Sequence, residues 1–489
     1  MDLPSAFHQQ IVSMLGGDEA SSLFAAIAGD EALSIRVNAS KVGVSLPYEG
    51  VPWCESAYYL ADRPSFTFDP LFHAGGYYVQ EASSMFVGVA LRHWLAGYRE
   101  GDRAGLTVLD LCAAPGGKST LMASLLPDDA LLVCNEVVRP RSQVLAENVA
   151  KWGVAAVVTN SEPAAYGQLG EMFDLVLADV PCSGEGMFRK DPQAVEEWSA
   201  DAVVMCAERQ RSIIADVWRS LRTGGAMIYS TCTYNIEENE RNVAWICETL
   251  GAEVVALPYD AAWGITVLDH EQPHGYRFMP HKTRGEGFFL CLLRKLERGE
   301  ALGNEVDTLG MEYCEGRSTE RSKRRRGEDR RAGRNAPGCV AGDALPRQWV
   351  VGGEAWHWEQ LGATVCCWQA VHHATVMRLR SHLRIVQCGL PVAELKGRDW
   401  MPTAALALSL WCDRSAFTIV ELSYDEAISY LRREALVLGD AAMGYLLVAY
   451  RGLPLGFVKQ VGQRANNLYP QEWRIRTTYR PATLPTVVP

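Results

Sequence analysis

The sequence predicts an α/β protein built around a doubly wound sheet, with an N-terminal α+β extension before the sheet and a small β-rich region after it. Three observations favour this fold class. Short apolar strand patterns alternate with longer helical patterns from Leu106 to Leu250, and a Gly-rich turn follows the first strand. A highly charged segment, Arg317 to Arg334, then interrupts the apolar pattern. Strands that alternate with helices form parallel sheets with helices on both faces.

Apolar runs, prolines and glycines predict where the helices and strands begin and end. A helix that begins at Pro140 and stops before Gly153 has the expected punctuation. Upstream of the sheet, Leu33–Asn38 is a strand candidate. The predicted strands of the sheet are Thr107–Leu111, Leu131–Val137, Ala155–Thr159, Phe173–Ala178 and Ala226–Ser230. The predicted helices are Ser119–Leu126, Pro140–Trp152, Asp201–Arg222 and Glu237–Leu250.

Composition excludes several classes of protein. Of the 489 residues, 48% are hydrophobic and 21% are charged, which is ordinary for a soluble folded protein. No apolar run approaches the roughly 20 residues of a membrane span, and the N-terminus lacks the features of a signal peptide. We therefore expect a cytoplasmic protein with no membrane contact. The 14 cysteines are scattered without a CxxC pair, so neither a disulfide framework nor a metal site is expected.

Charge and composition also predict the domain limits. We expect an N-terminal extension at residues 1–100, the doubly wound domain at 101–298, a charged linker at 299–345 and a C-terminal region at 346–489. The linker is either a solvated spacer or a basic segment that touches an RNA backbone. The net charge of −11 argues against general affinity for nucleic acid. A chain with this net charge can still bind nucleic acid through a local basic surface.

A loop of small residues follows the first predicted strand. It consists of Cys112, Ala113, Ala114, Pro115, Gly116, Gly117 and Lys118. Small residues let the backbone approach a ligand closely, although the spacing fits neither a Walker loop nor GxGxxG. Glu136, at the end of the second strand, is placed to accept hydrogen bonds from ribose hydroxyls. Together they predict a nucleoside cofactor, either a nicotinamide dinucleotide or S-adenosylmethionine.

Two cysteines follow neighbouring strands of the predicted sheet. Cys182 comes shortly after Asp179 at the fourth strand, and Cys232 comes directly after the fifth. A lone cysteine is usually a packing residue, but a pair at adjacent strand ends indicates chemistry. Such a pair, with a carboxylate near a methyl donor, is sufficient for methylation at C5 of a pyrimidine. A thiolate adds to C6, which makes C5 nucleophilic, and a base then removes the C5 proton.

The strings CAAPGGKS, DVPCSGEGMFRKDP and STCTYNIEENE closely resemble, in this order, the signatures of the Nop/Sun family of RNA (cytosine-5) methyltransferases. YYVQEASSMF resembles the family's element before the catalytic domain, so the resemblance runs from about Leu33 to Leu296. It implies a Rossmann-like S-adenosylmethionine-dependent methyltransferase domain. It further implies that Cys232 is the nucleophile that adds to C6 and that Cys182 assists release of the product.

The resemblance also implies the roles of the remaining site residues. The loop from Cys112 to Lys118 would surround the methionine part of the cofactor, Glu136 would bind the ribose, and Asp179 would lie beside both cofactor and target base. The family's aspartate after the third strand is replaced by Glu162, which would lie near the adenine. Arg189 and Lys190, which follow the Cys182 loop, either meet phosphate or are solvated.

The C-terminal tail is basic. Gly452–Pro470 resembles the PUA-like C-terminal domain of the family's bacterial branch, which implies RNA binding, and the N-terminal extension is expected to bind RNA as well. Apolar runs around Arg451-Gly452-Leu453-Pro454 predict a hairpin. The basic residues of the tail, set against the single acid Glu472, are Arg451, Lys459, Arg464, Arg474, Arg476 and Arg480. The interleaved aromatic residues, which either contact RNA or form a core, are Phe457, Tyr469, Trp473 and Tyr479.

We therefore expect an enzyme that acts without metal, as a monomer, on RNA: small-subunit ribosomal RNA or the assembled small subunit. Three alternatives remain open, namely the same reaction on tRNA, a noncatalytic RNA-binding or ribosome-assembly factor, and a nicotinamide-dependent oxidoreductase. Retention of both cysteines, Asp179 and Lys118 weighs against the noncatalytic factor. The spacing of the Gly loop weighs against the oxidoreductase, in which the cysteine pair would have no role.

Overall fold

The structure, a computed structural model, describes residues 3–43, 45–99, 103–267, 275–297, 345–439, 441–479, 481, 484–485 and 487–488. The charged segment from Arg317 to Arg334 and the tail residue Arg480 lie outside the described residues. None of the described helices is long and apolar enough to cross a bilayer.

The N-terminal extension consists of a helical hairpin and a small antiparallel sheet. Its helices are α1 (Ser5–Leu15), α2 (Gly17–Ile27), α3 (Pro70–His73) and α4 (Val87–Ala96). Its strands are β1 (Leu33–Val37), β2 (Gly50–Val51), β3 (Cys54–Leu60) and β4 (Tyr77–Val79). They are ordered β2-β3-β1-β4, and the strand predicted at Leu33–Asn38 is therefore central in this sheet.

A doubly wound sheet follows, as the alternation of strands and helices predicts. Its strands are β5 (Thr107–Asp110), β6 (Leu131–Asn135), β7 (Val157–Thr159), β8 (Phe173–Asp179), β9 (Leu221–Thr231), β10 (Ala252–Val255), β11 (Tyr276–Phe278) and β12 (Phe288–Lys295). Its helices are α5 (Gly117–Ala123), α6 (Arg139–Trp152), α7 (Pro163–Gly167), α8 (Pro192–Glu197), α9 (Ala200–Trp218) and α10 (Glu240–Leu250).

The strand order places a ligand-binding crevice at one edge of this sheet. The five strands ordered β9-β8-β5-β6-β7 are parallel, and β12 adds antiparallel beside β9. From β5 the chain winds outward through β6 and β7, then returns to β8 on the other side. Ligands of such sheets bind at the carboxyl ends of the strands near this reversal.

The long helix α9 ends earlier than the sequence predicts. It stops at Trp218, and β9 already begins at Leu221 instead of Ala226. The glycines Gly224-Gly225, which resemble a helix stop in the sequence, lie within β9. In the structure the Arg222 side chain forms an ion pair with Asp174 across the adjacent β8 and β9, which holds this end of β9 in the sheet.

The C-terminal region contains two further sheets of four strands each. One is ordered β13 (Trp356–Leu361), β14 (Thr364–Gln369), β16 (Leu390–Lys396) and β17 (Asp399–Pro402). The other is ordered β18 (Thr418–Glu421), β19 (Gly444–Tyr450), β20 (Leu453–Val461) and β21 (Arg464–Asn467). The helices of this region are α11 (His373–His382), α12 (Ala404–Leu408) and α13 (Tyr424–Leu431).

One strand of the C-terminal region belongs to neither of these two sheets and joins the doubly wound sheet instead. This strand, β15 (Ile385–Gln387), pairs antiparallel with β7 and forms one edge of the doubly wound sheet, with β10 at the other edge. The predicted domain limits at 100/101, 298/299 and 345/346 stay predictions. Because β15 follows the linker and β7 precedes it, the doubly wound sheet is built from residues on both sides of the linker.

A buried arginine connects the N-terminal extension to the Gly loop. Arg36 on β1 is fully buried, and its guanidinium donates to Gln80 Oε1 at 2.9 Å, Thr120 Oγ1 at 2.6 Å and the Gly117 carbonyl at 3.2 Å. It also lies 4.2 Å from the ring centre of Trp152. Burial lowers the pKa of Arg36 to about 10, which leaves it charged at neutral pH. The extension therefore supports the start of α5 directly.

Candidate active site

The register of β8 and β9 brings the predicted catalytic residues to one point. Asp179, the last residue of β8, lies opposite Ser230 of β9. The Ser230 hydroxyl donates to Asp179 Oδ1 at 2.8 Å, and the Lys118 ammonium donates to Oδ2 at 2.7 Å. The carboxylate of Asp179 is thus fixed from both sides while about a quarter of its side chain, 27%, remains exposed.

The two cysteines meet at this edge. Their sulfur atoms are 3.0 Å apart, and the Cys232 backbone N–H donates to Cys182 Sγ at 3.3 Å. Both side chains are half-buried. The contact with Cys232, reinforced by burial, raises the pKa of Cys182 well above that of a free thiol. Cys182 is therefore protonated at neutral pH and can donate its S–H to Cys232.

Lys118 adds a positive charge beside the thiols. Burial lowers its pKa, but the Asp179 carboxylate and, to a smaller extent, Cys232 and Asp110 outweigh burial, so the net pKa of Lys118 is raised. Its ammonium also lies 5.3 Å from the ring centre of Phe288. The lysine stays charged and stabilises negative charge on its neighbours.

The predicted Gly loop connects β5 to α5. The Ala113 N–H donates to the Asn135 carbonyl at 2.8 Å, which ties the loop to the end of β6. Gly116 has a φ of 110°, in the left-handed region, and a Cβ added there would lie 3.3 Å from Leu145. Glycine is required at this position because a side chain would be both strained and crowded.

Glu136 lies directly after β6, where the sequence places it. It is almost fully buried, its Oε1 accepts from the Val138 N–H at 2.8 Å, and its Oε2 lies 3.4 Å from Arg141 Nη1. Arg141 also donates to the Ala114 carbonyl at 3.0 Å. This arginine, which the sequence reasoning missed, bridges the carboxylate and the Gly loop.

The residues present fit a nucleoside cofactor with a cationic amino acid part. Asp110 is completely buried, and its Oδ2 accepts from Ser119 at 2.6 Å, whereas its Oδ1 has no hydrogen-bond partner among the described residues. Burial raises the pKa of Asp110 to about 7. An unpaired carboxylate oxygen under the Gly loop, close to Glu136, is suited to the hydroxyl and ammonium donors of such a ligand.

Glu162 remains apart from this network. It is exposed, directly before α7, and its side chain forms no capping hydrogen bond with that helix. Its neighbour Ser161 is bonded to Asn135, which places the Glu162 backbone beside the end of β6. Its predicted contact with adenine stays a prediction.

Two buried glutamates hold the cysteine loops together, and the sequence reasoning missed both. Glu185 Oε2 accepts from the backbone N–H groups of Tyr234 and Asn235, both at 2.9 Å. Its Oε1 accepts from Trp198 at 3.1 Å and from Gln10 of α1 at 2.8 Å. A carboxylate in the Cys182 loop thus accepts hydrogen bonds from the backbone of the Cys232 loop and holds the two loops together.

Glu238 forms the reciprocal contact. Its carboxylate accepts from the Ser183 N–H at 3.0 Å, from Gln210 at 2.6 Å and from Asn235 at 2.7 Å. Burial raises its pKa. Both glutamates lie inside the motif strings quoted above. An acid within a loop of small and polar residues was the sequence signal that could have indicated their role.

Arg189 has a structural role that neither predicted alternative describes. Its side chain is only 9% exposed, and it pairs with the buried Glu286 at 2.8 Å. It also donates to the backbone carbonyls of Gly285 at 2.7 Å and Asp30 at 3.2 Å. Lys190 lies 3.7 Å from the same Glu286 carboxylate. The loop after Cys182 is therefore anchored to the segment before β12 and to the chain that follows α2.

The C-terminal tail forms the predicted hairpin, with β19 and β20 joined at Arg451-Gly452. Phe457 and Tyr469 are buried in the core, Trp473 is half-buried, and Tyr479 is exposed. Three arginines surround a concave cavity of about 300 Å³ beside β21. Its charged and amide side chains are Arg433, Arg464, Arg474, the single acid Glu434, Asn466, Asn467 and Gln471.

Within the part of the chain that the structure describes, no three His, Cys, Asp or Glu side chains are grouped so that they could hold a metal ion. The adjacent pairs His372-His373 and Cys366-Cys367, whose side chains are of the types that bind metals, are among the residues described and belong to no such group.

Comparison with known families agrees with the motif strings. A family described as "16S rRNA methyltransferase RsmB/F" matches residues 99–294. The family described as "N-terminal domain of 16S rRNA methyltransferase RsmF" matches residues 3–82, and the "Methyltransferase RsmF PUA domain" matches residues 417–475. The resemblance to RNA methyltransferases and the predicted fold class are confirmed.

Relatives of known name match over most of the chain. Ribosomal RNA small subunit methyltransferase F of Salmonella agona (strain SL483) is 31% identical over 466 residues, which are 90% of this chain and 89% of that protein. The protein of the same name from Salmonella typhi is 31% identical over 468 residues, again 90% and 89%.

Solved structures share the fold. A methyltransferase homologue from Pyrococcus horikoshii is 27% identical with a TM-score of 0.51, over 60% of this chain and 95% of that one. NSun6 from Pyrococcus horikoshii with SFG is 20% identical with a TM-score of 0.51, over 60% and 98%.

We expect mild oxidation of the folded protein with diamide to join Cys182 to Cys232, because their sulfur atoms are already 3.0 Å apart. Peptide mass spectrometry identifies the linked pair. Glu185→Gln should reduce the yield, because an amide has a single oxygen that can accept and its NH2 group would face an N–H donor, so the contact between the two loops is weakened. Glu196→Gln is the matched control. Glu196 is an exposed acid on α8, and its replacement should not reduce the yield of the linked pair. Linkage of Cys232 to Cys206, or no linkage in the unmodified chain, would contradict this geometry.

Proposed function

Because the chain belongs to the RsmB/F family of 16S rRNA methyltransferases, we propose that it transfers a methyl group from S-adenosylmethionine to C5 of a cytosine in small-subunit ribosomal RNA. The observation that carries this proposal is the contact between two thiols at the carboxyl edge of the sheet, beside Lys118 and Asp179. A methyltransferase that acts on an oxygen or an exocyclic nitrogen has no use for two adjacent thiols. A ribosomal substrate places the enzyme in the cytoplasm, where thiols stay reduced.

Cys232 supplies the nucleophile. Its thiolate forms a bond to C6 of cytosine, the electron pair of the C5–C6 double bond shifts to C4–C5, and the pair of the C4–N3 double bond shifts onto N3. The enamine that results is nucleophilic at C5. Cys182 donates its S–H to the Cys232 sulfur, and the Lys118 ammonium adds positive charge nearby, so the thiolate is stabilised before it reacts. Asp179 lies at the same point, where its carboxylate can accept from the exocyclic amino group of the base.

S-adenosylmethionine, when bound, supplies an electrophilic methyl group to C5. Glu136 would hold its ribose, the loop from Cys112 to Lys118 would surround its methionine part, and Asp110 Oδ1 would accept from its ammonium or a hydroxyl. Glu162 would border the adenine. The buried, unpaired Asp110 oxygen and the left-handed Gly116 support this assignment.

The structure suits Cys182 to the last step. Contact with the Cys232 sulfur is the first cause of its raised pKa. Once Cys232 is bonded to carbon, that cause is removed, and the half-buried Cys182 thiol can release its proton to solvent. The resulting thiolate takes the proton from C5, the C5–C6 double bond reforms, and Cys232 leaves with the electron pair of its bond to C6.

RNA binding is proposed for the two ends of the chain. The arginine-lined cavity beside β21 combines positive charge with amide donors, which is suited to phosphate groups. The buried Phe457 and Tyr469 are inaccessible for stacking on bases, so this module would bind through its cations and, among its aromatic residues, through the exposed Tyr479. The N-terminal extension, whose Gln10 touches Glu185, lies close enough to the cysteines to contact RNA near the target base.

Substitution of each cysteine separates the two roles. With Cys232→Ser no covalent RNA adduct and no turnover are expected, because a serine hydroxyl is scarcely ionised at neutral pH. With Cys182→Ser the methylated RNA should stay bonded to Cys232, seen as a slowly migrating band on a denaturing gel. The double variant should lose this band. Yield should be higher on an unpaired cytosine, since flipping a paired base costs a few kcal/mol.

Cys206→Ser on α9 is the matched control and should retain turnover without adduct. An adduct with Cys232→Ser and none with Cys182→Ser would show that the two roles are reversed.

Arg464→Gln combined with Arg474→Gln should weaken RNA binding without changing affinity for S-adenosylhomocysteine. For every phosphate group that is no longer neutralised, the slope of log affinity against log salt should also become shallower by about one. Filter binding at several salt concentrations measures this slope. Arg294→Gln is the matched control, because Arg294 is an exposed arginine that pairs with Glu253 of β10 at the end of β12 far from the cysteines. Equal slopes for the double variant and the unmodified chain would show that the cavity does not contact RNA.

A further inference from the structure

Strand β15 is an integral part of the doubly wound sheet although it belongs to the C-terminal region. Ile385 pairs with Thr159 and Gln387 with Val158. Ile385 packs against the core on one face of the sheet and Val386 against the core on the other. Leu383 and Cys388, on either side of the strand, are buried. The half-buried Ile385 and Val386 therefore contact the cores on opposite faces of the sheet, as expected of successive residues in a strand.

The hydrogen bonds of this segment reach the loop after β7. The Asn160 N–H donates to the Arg384 carbonyl at 2.9 Å. In return, the Arg384 N–H donates to the Ser161 hydroxyl at 2.9 Å. Both bonds lie at the carboxyl end of β7, the edge where ligands of such sheets bind, and they fix the two residues that precede Glu162.

The same two residues hold the end of β6. The Asn160 side chain donates to the backbone carbonyls of Glu136 at 2.7 Å and Val137 at 2.8 Å. Ser161 exchanges two hydrogen bonds with the Asn135 side chain, at 2.9 and 3.1 Å. Asn160 and Ser161 therefore connect Arg384 of the C-terminal region to Glu136 at the proposed ribose site.

We propose that the segment Leu383–Gln387 is a positioning element of the cofactor site. Through Asn160 and Ser161 it holds Glu136 and Glu162 in the arrangement that binds the nucleoside, so the site is assembled from both sides of the charged linker. Without these bonds the loop after β7 must be ordered when the ligand binds, and that ordering reduces affinity. This inference rests on the proposed function for the identity of the ligand.

Four variants of the full chain test one hydrogen bond from both ends. Ser161→Ala removes the acceptor, and Ser161→Thr retains a hydroxyl. Arg384→Pro removes the donor, and Arg384→Ala removes only an exposed side chain. The backbone of Leu383, with a φ of −115° and a ψ of 152°, already has the extended conformation that proline requires of the preceding residue.

Calorimetric titration with S-adenosylhomocysteine gives the readout. Ser161→Ala and Arg384→Pro should each weaken binding about three- to tenfold, the range of a single hydrogen bond. The double variant should be no weaker than the worse single one, because both changes remove the same bond. Ser161→Thr and Arg384→Ala should bind like the unmodified chain. A purely structural role would lower the thermal midpoint and leave the affinity at 25 °C unchanged.

Affinity that is unchanged in both Ser161→Ala and Arg384→Pro, while the unmodified chain binds, would overturn this inference alone. Failure of the unmodified chain to bind S-adenosylhomocysteine would overturn the proposed function together with it.

Discussion

The parallel pairing of β8 with β9 is the constraint on which the site depends. It sets Asp179 opposite Ser230, and the turns that follow the two strands then carry Cys182 and Cys232 into contact. Strand pairing alone leaves such turns free to separate. Glu185 and Glu238 prevent this, since each glutamate stands in one turn and accepts hydrogen bonds from the backbone of the other. A buried carboxylate deprived of these donors would be left uncompensated, which makes the arrangement costly to break.

Charges around the thiols are balanced rather than simply positive. Lys118 is half-buried and keeps its proton because Asp179 faces it at 2.7 Å. Asp110, one oxygen of which has no hydrogen-bond partner in the described part of the chain, has a pKa raised to about 7 by burial. Cys182 keeps its proton because of Cys232. The site thus holds one protonated thiol, one fixed cation and one unpaired carboxylate oxygen, and each of them is suited to a different part of methyl transfer.

The sequence predicts what is local. The Gly loop, Glu136 and both cysteines follow apolar strands, and the carboxyl ends of parallel strands must share an edge, so their proximity follows from the pattern. Contacts between distant segments carry no periodic signal. Arg36 reaching Thr120, Gln10 reaching Glu185, and β15 joining β7 could be found only once the chain was folded. The end of α9 was misplaced at Arg222 for a related reason, because its ion pair with Asp174 is made across the sheet.

The central claim is that the chain forms a bond from Cys232 to C6 of the target cytosine during methyl transfer. RNA that contains 5-fluorocytosine tests it directly, because fluorine cannot leave C5 as a cation and the last step is blocked. After reaction with S-adenosylmethionine and nuclease digestion, mass spectrometry should find a methylated fluorocytidine on the peptide that contains Cys232. The same adduct on the Cys182 peptide, or methyl transfer to RNA without any adduct, would contradict the account.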